Sequence, residues 1–212
     1  RRHFPYDDEN ASRAGFGPAL DAIRADTSIG EVILSGGDPL TLSDRRLTAL
    51  WAGLAAIPHV RRIRIHTRLP VVLPDRIDAA FLEAWSAVPL QKVVVVHANH
   101  ANEIDGAVRA AIAGLRAADT TVLNQTVLLR GINDRVAELV ALSEALFEAG
   151  ALPYYLHLLD RVAGAAHFDT PAATAQRLVA DLATHLPGYL VPRLVREEPG
   201  APAKTVLPPA SR

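Results

Sequence analysis

Cysteine and methionine are both missing from the 212 residues. Without cysteine the chain can form no disulfide and no thiolate metal site of its own. Without methionine even at position 1, the opening "RRHFPYDDEN" reads as the edge of a cut through a longer protein. An excess of either charge is missing too: 22 Lys+Arg stand against 23 Asp+Glu, a formal net charge of −1. That balance argues against a nucleic-acid partner, which needs a broad basic surface. No apolar run approaches the roughly 18 residues of a membrane helix, and "VVVV" at Val93–Val96 is only strand length. The chain is therefore expected to be soluble and cytoplasmic, with no membrane contact.

What is present is an alternation of short β-branched runs with amphipathic helical runs, in a chain long enough to bury a core as one domain. "EVILSGG" predicts a strand over Glu31–Leu34, "RIRIHT" one over Arg62–Thr67 and "KVVVVHAN" one over Lys92–His97. "TVLNQTVLL" and "PYYLHLLD" add strands at Thr121–Leu129 and Tyr154–Asp160. Between them, Leu47, Leu50, Trp51, Leu54 and Ile57 recur at helical spacing behind a potential Ser43 cap. Ile77, Phe81 and Trp85 mark a second helix, Ile104, Val108, Ile112 and Leu115 a third, and Val136 to Phe147 a fourth ending at Gly150. Thr170 and Pro171 open a fifth, with Leu178, Val179, Leu182 and Leu186 facing inward. Such βα repetition permits a doubly wound sheet or a barrel, and both gather functional residues at the strand C-termini.

After the first strand, "SGGDPL" places Gly36 and Gly37 where backbone can approach a ligand or adopt positive φ. Asp38 beside them can accept from an ammonium or a ribose hydroxyl; the alternative is a plain turn. The spacing is neither a dinucleotide fingerprint nor a P-loop. The second strand ends in His66, Thr67 and Arg68, the third in His97, Asn99 and His100. Two close histidines without a third ligand read as hydrogen-bonding groups rather than a zinc site. Asn124 and Gln125 in the fourth strand are costly to bury unmatched, which leaves ligand contact and a satisfied structural network as alternatives. Asp160 either meets a ligand cation or fixes the Gly164 loop. Lys204, between two proline-containing stretches, is either an exposed tail cation or an amine able to condense with an aldehyde. Asp38, His66, Asn99, Gln125 and Asp160 are expected around one mouth.

Together, "RRHFPY", "SGGDPL", "RIHTRLPVVLPDRI", "NQTVLLRGIND", "YYLHLLDRVAGAAHF" and "GYLVPRLVREEPGAPAKTV" resemble the lysine 2,3-aminomutase family of radical S-adenosylmethionine enzymes, over essentially the whole chain. "RRHFPY" and "LVPRLVREE" most resemble the branch that makes β-lysine for modification of translation elongation factor P. The resemblance implies an α/β partial TIM-barrel-like radical SAM core lacking its first strand and cluster loop. Residues 1–212 would form one truncated catalytic domain, with 188–212 as its C-terminal pyridoxal phosphate-anchoring segment. It implies an isomerase that moves the α-amino group of L-lysine to the β carbon, using pyridoxal 5′-phosphate, S-adenosyl-L-methionine, a [4Fe–4S] cluster and a reducing electron donor. That is an iron–sulfur, metal-binding enzyme, compatible with a homo-oligomer. In the family the Cys-x3-Cys-x2-Cys motif lies just upstream, so the cluster ligands are expected outside this chain, which alone is expected to be inactive.

By the same resemblance Lys204 forms the Schiff base with pyridoxal phosphate, Arg1 holds the substrate carboxylate and Asp160 meets its distal ammonium. Glu197 takes the second acidic position, where stand-alone lysine mutases carry Asp. Gly36, Gly37 and Asp38 match the adenosylmethionine-binding segment and Gln125 a polar position near that cofactor. His66, Arg68, Asn99 and His157 are further cofactor-pocket candidates. Other readings stay open: a stand-alone amino-acid 2,3-aminomutase, a non-catalytic radical SAM relative that binds ligands, or a scaffold for nucleic acid or protein using a patch away from the pocket.

Overall fold

Short aliphatic runs separated by amphipathic helices have one economical arrangement, a parallel sheet covered on one face, and a computed structural model of the chain has this form. It describes residues 15–160, 164–198, 200–201 and 203–210; Arg1 and "RRHFPY" lie outside them. The strands are β1 (Glu31–Leu34), β2 (Arg62–Thr67), β3 (Gln91–Val96), β4 (Thr120–Val127), β5 (Leu152–His157), β6 (Arg193–Arg196) and β7 (Thr205–Val206). Pairing from β1 to β6 is parallel, and β7 returns antiparallel to β6. Spatial order equals chain order. Each crossover therefore advances one strand in the same direction, as in a barrel, with none of the reversal of a doubly wound sheet. The result is an open, curled half-barrel, the partial TIM-barrel-like core that was expected.

The helices are α1 (Gly17–Ala25), α2 (Asp44–Ala55), α3 (Leu69–Val72), α4 (Ala79–Ser86), α5 (Gly106–Ala117), α6 (Val136–Ala149) and α7 (Ala172–Leu182). Asp78 caps α4 by accepting from Phe81 N at 2.8 Å, and Asp105 caps α5 by accepting from Val108 N at 2.9 Å. Two expected caps differ. Ser43 stands at the N-cap of α2 without a side-chain capping bond. At α7 the extended Pro171 takes the N-cap, and Thr170 Oγ1 is buried with no partner. Gly150 ends α6 at φ 94°, a left-handed conformation that favours glycine, with the movable Arg116 side chain packed close against it.

The core lies on the convex side. Ile63, Ile65, Val94, Val96 and Val122 pack with Trp51, Phe81, Trp85, Ile112 and Leu115 of the covering helices. Trp51 meets Phe81 edge-on at 5.8 Å and Trp85 at 4.8 Å, and Trp85 Nε1 donates to Thr120 Oγ1 at 2.8 Å. A second cluster under α6 and α7 gathers Leu139, Leu156, Leu178, Val179, Leu182 and Leu194.

One polar residue is embedded in this layer. Asn124, 1% exposed, accepts from Ala98 N at 2.8 Å and donates to Ala98 O and to Thr126 Oγ1, stitching the exit of β3 to β4. Asn124→Ala strands the Ala98 N–H, and we expect it to destabilise the protein by about 2–4 kcal/mol. Urea unfolding should show a lower midpoint at unchanged slope; an unchanged midpoint would remove Asn124 from the supports of the sheet.

Candidate active site

Alternation along a strand decides which side chains face inward. With Ile63, Ile65, Val94, Val96 and Val122 turned to the helices, His66, His97 and Gln125 fall on the concave face near its C-terminal end. Pairing from β4 to β5 then slips: Asn124 opposes Pro153, but Gln125 opposes Tyr155. Tyr154 is the extra residue of this β-bulge, and a proline that cannot donate to a ladder is tolerated beside it. The tyrosine rings lie 3.7 Å apart, and Tyr154 donates to Tyr155 Oη at 2.9 Å. Tyr155 meets His157 edge-on at 5.7 Å.

Several candidates are bound up in holding the mouth together. The Asp38 carboxylate accepts from Leu40 N at 3.1 Å, Thr67 Oγ1 at 2.7 Å and Arg68 N at 2.6 Å, tying the end of β1 to the end of β2. Gly36 (φ 88°) and Gly37 (φ 57°) precede it, both exposed; a Cβ on either would meet nothing within 4 Å, so conformation rather than crowding selects glycine. Arg76 braces the following turn, donating to Leu40 O at 2.7 Å and Leu42 O at 3.1 Å and pairing with Asp44 at 2.6 Å. Asn99 accepts from Val127 N at 2.8 Å. Asn133, which sequence reasoning missed, is fully buried and donates to Asn99 O and Val127 O. His100 caps its own turn and meets Glu138 at 3.1 Å, as expected of a hydrogen-bonding group, whereas His97 Nε2 has no such partner. Arg68 and Asp160 are exposed at the same end of the sheet, Asp160 three residues beyond the end of β5.

The opposite condition marks the middle of the concave face. His97 Nε2 and His157 Nε2 are buried with no hydrogen-bond partner; His66 Nε2 and Gln125 Oε1 are buried without a well-formed bond, although the Gln125 side chain stands near enough to His66 to favour its charged form. An orphaned buried polar atom costs about 1–3 kcal/mol, so these atoms together call for groups that complete them. All three imidazoles are pushed down to about 4, in each case first by loss of water: then by Arg64 for His66, Arg68 for His97 and Lys204 for His157. At neutral pH they are uncharged, each with one nitrogen able to donate and one able to accept.

Lys204 arrives from the far edge. The register Val195↔Val206 and Arg196↔Thr205 makes Glu197 and Lys204 the next opposed positions, and Lys204 Nζ forms an ion pair with Glu197 Oε1. The ammonium also stands 5.9 Å from the centre of the Tyr155 ring. A hollow of about 280 Å³ opens beside it, lined by Glu197, Glu198, Ala201, Ala203 and Lys204. A larger hollow, about 470 Å³, lies at the other end of the strands and is lined by Val88, Lys92 and Asp119 among others. There Lys92 reaches the carbonyls of Ser86 and Val88, both at 3.4 Å, at the C-terminus of α4. That lysine serves the fold. Lys92 and Lys204 are the chain's two lysines, a scarcity that singles out Lys204 in the sequence itself.

The expectation of an iron–sulfur, metal-binding chain is corrected here. The chain has no cysteine, and among the described residues no group of three His, Cys, Asp or Glu could hold a metal ion. His66 and His97, with ring centres 6.1 Å apart, lack a third ligand, and the cluster ligands are absent from these residues.

The open, curled sheet with its flanking helices matches a partial, radical-SAM-like TIM-barrel core. No family model matches the chain. An L-lysine 2,3-aminomutase of Escherichia coli (strain K12) is 48% identical over 207 residues, 98% of this chain and 60% of that protein. One from Haemophilus influenzae is 49% identical over 206 residues, 97% of this chain and 61% of that protein. One from Clostridium subterminale is 37% identical over 212 residues, 99% of this chain and 50% of that protein. The chain is thus similar along nearly its whole length to L-lysine 2,3-aminomutases, and it spans half to three fifths of the length of these relatives.

The histidines make the fold sensitive to acid. Their folded values near 4 lie below the ordinary imidazole value of 6.5, so between these limits the unfolded chain binds more protons than the folded one. Their contribution is whole above pH 6.5 and is lost as pH falls towards 4. The urea midpoint should decline through that window and decline less steeply in His157→Gln; parallel profiles for the two proteins would contradict the assignment.

Proposed function

We propose that the whole protein is an aminomutase-type isomerase acting on L-lysine, with pyridoxal phosphate anchored on Lys204 and S-adenosyl-L-methionine bound along Gly36, Gly37 and Asp38. The observation that carries the reading is an amine, Lys204, delivered to the face where His66 and His157 feel its charge and where buried polar atoms of His97 and His157 have no partner. Its homology to L-lysine 2,3-aminomutases supports the reaction class.

The residues present suit these cofactors. Lysine supplies a primary amine that can be neutral and nucleophilic, as arginine cannot. His66, His97, His157 and Gln125 can meet polar atoms of bound molecules without adding charge. When bound, pyridoxal phosphate supplies stabilisation of electrons displaced from the amino acid, and adenosylmethionine a radical that takes hydrogen from it. The chain's own residues bind and orient: Asp160 and Glu197 for the distal ammonium, Arg1 for the carboxylate, and Arg68, Asn99 and His157 along the cofactor pocket. Glu197 is one methylene longer than Asp, which lengthens its reach and keeps its charge.

In this reading residues 1–212 belong to one catalytic domain, with 188–212 anchoring pyridoxal phosphate. The product is β-lysine destined for elongation factor P, the location is cytoplasmic, and an electron donor serves the reaction. Among the described residues no helix is long and apolar enough to cross a membrane.

The test is chemical mapping. The full-length protein loaded with pyridoxal phosphate is reduced with borohydride, digested and weighed; the pyridoxyl group should sit on Lys204 and not on Lys92. Lys204→Ala should lose it and bring conversion of isotopically labelled lysine to background. A label on Lys92, or full conversion by the Ala variant, would refute the anchor.

A further inference from the structure

The bulge in β5 has a consequence for Lys204. In a regular strand Tyr154 and Tyr155 would face opposite sides of the sheet. The extra residue opposite Asn124 and Gln125 instead lets both rings lie together 3.7 Å apart, joined through their hydroxyls at 2.9 Å. A side chain backed by a neighbouring ring and held at its tip has little freedom to move. The face of this braced ring looks towards Lys204 Nζ, 5.9 Å from its centre, while Glu197 takes the same ammonium from the β6 side.

We propose that Tyr155 is a positioning residue for Lys204: the bulge-built tyrosine pair presents a fixed ring face which, with Glu197, aims the Lys204 amine into the concave face. An ammonium on a flexible four-carbon stem is drawn to the negative face of an aromatic ring. Glu197 alone fixes one direction and leaves the stem to swing; the ring supplies the second. The contact also assigns Glu197 a ligand-free task, because a substrate ammonium that reaches for its carboxylate must compete with Lys204. Use of this aim in the reaction rests on the proposed anchor role of Lys204, whereas the contact itself does not.

The experiment is competitive acetylation of the full-length protein without pyridoxal phosphate, at trace acetic anhydride. Nα-acetyl-lysine amide is the internal standard, and peptide masses resolve Lys204 from Lys92. Because Lys92 is 6% exposed, its slow labelling reports that the protein is folded. Tyr155→Leu should raise Lys204 labelling relative to the standard by about two- to fivefold, the range that a partly exposed cation–π contact commands. Tyr155→Phe, which keeps the ring face, should stay near the wild-type value, and Glu197→Gln should move in the same direction as Leu.

An unchanged rate in Tyr155→Leu, or a rise in Tyr155→Phe as large as that in Leu, overturns the proposal. Should the Leu variant unfold, seen as fast labelling of Lys92, Tyr155→Trp decides instead. Its larger ring must hold Lys204 labelling at or below wild type, and faster labelling overturns the proposal. No cofactor enters this measurement, so it can succeed even where borohydride mapping fails, and the reverse.

Discussion

The half-barrel depends on the dry contact between one face of its sheet and the helices that cover it. Ile63, Ile65, Val94, Val96 and Val122 sit in that layer against Trp51, Phe81 and Trp85. Burying each such aliphatic side chain stabilises the fold by about 1.5–3 kcal/mol, which makes the layer the principal determinant of register. A slip of one residue would expel all five and drive Arg64, His66 and Gln125 under the helices. The same constraint that folds the chain therefore puts its polar side chains on the concave face, and the site needs no separate instruction to form there.

Two kinds of polar residue then divide the mouth between them. Asp38, Asn99, Asn124 and Asn133 have their hydrogen bonds met within the protein and join successive strand exits. His97 and His157 keep buried nitrogens without partners, and His66 and Gln125 keep buried atoms without well-formed bonds. The first set holds the second in place. A satisfied network around unsatisfied atoms is the arrangement expected of a preorganised binding face, because the rigid frame holds those atoms away from water.

Much of this was legible in the sequence and some was not, for definite reasons. The runs at Val32, Ile63, Val93 and Val122 read as strands because β-branched residues cluster there, and the five expected helices, each with its apolar spacing, are all present. α1 begins at Gly17–Pro18, a pair that reads as a turn, and its short apolar spacing of Phe16, Leu20 and Ile23, only partly buried against the core, was passed over. β6 and β7 are four and two residues long, and β7 exists through its pairing with β6, a non-local fact. The bulge at Tyr154 was invisible for the same reason: a slip belongs to two strands, and period-two reading of one would have sent Tyr154 and Tyr155 to opposite faces. At Asn124 and Gln125 the sequence allowed either ligand contact or a structural network. The structure divides them, with Asn124 satisfied from both sides and Gln125 Oε1 buried without a well-formed bond.

The use of cations completes this division. Where a fixed fork is needed the chain employs arginine, as at Arg76, which spans two carbonyls and a carboxylate. Its two lysines stand where one mobile amine suffices: Lys92 over the carbonyls that end α4, and Lys204 opposite Glu197. Arginine at position 204 could keep an ion pair with Glu197 and stack on Tyr155, so electrostatics alone gives no reason for lysine there. What arginine cannot do is shed its proton near neutral pH and act as a nucleophile. In the proposed function, lysine just ahead of the two-residue β7, near the uncharged imidazoles of His66 and His157, is a choice of reactivity that ties the edge of the sheet to the chemistry of its concave face.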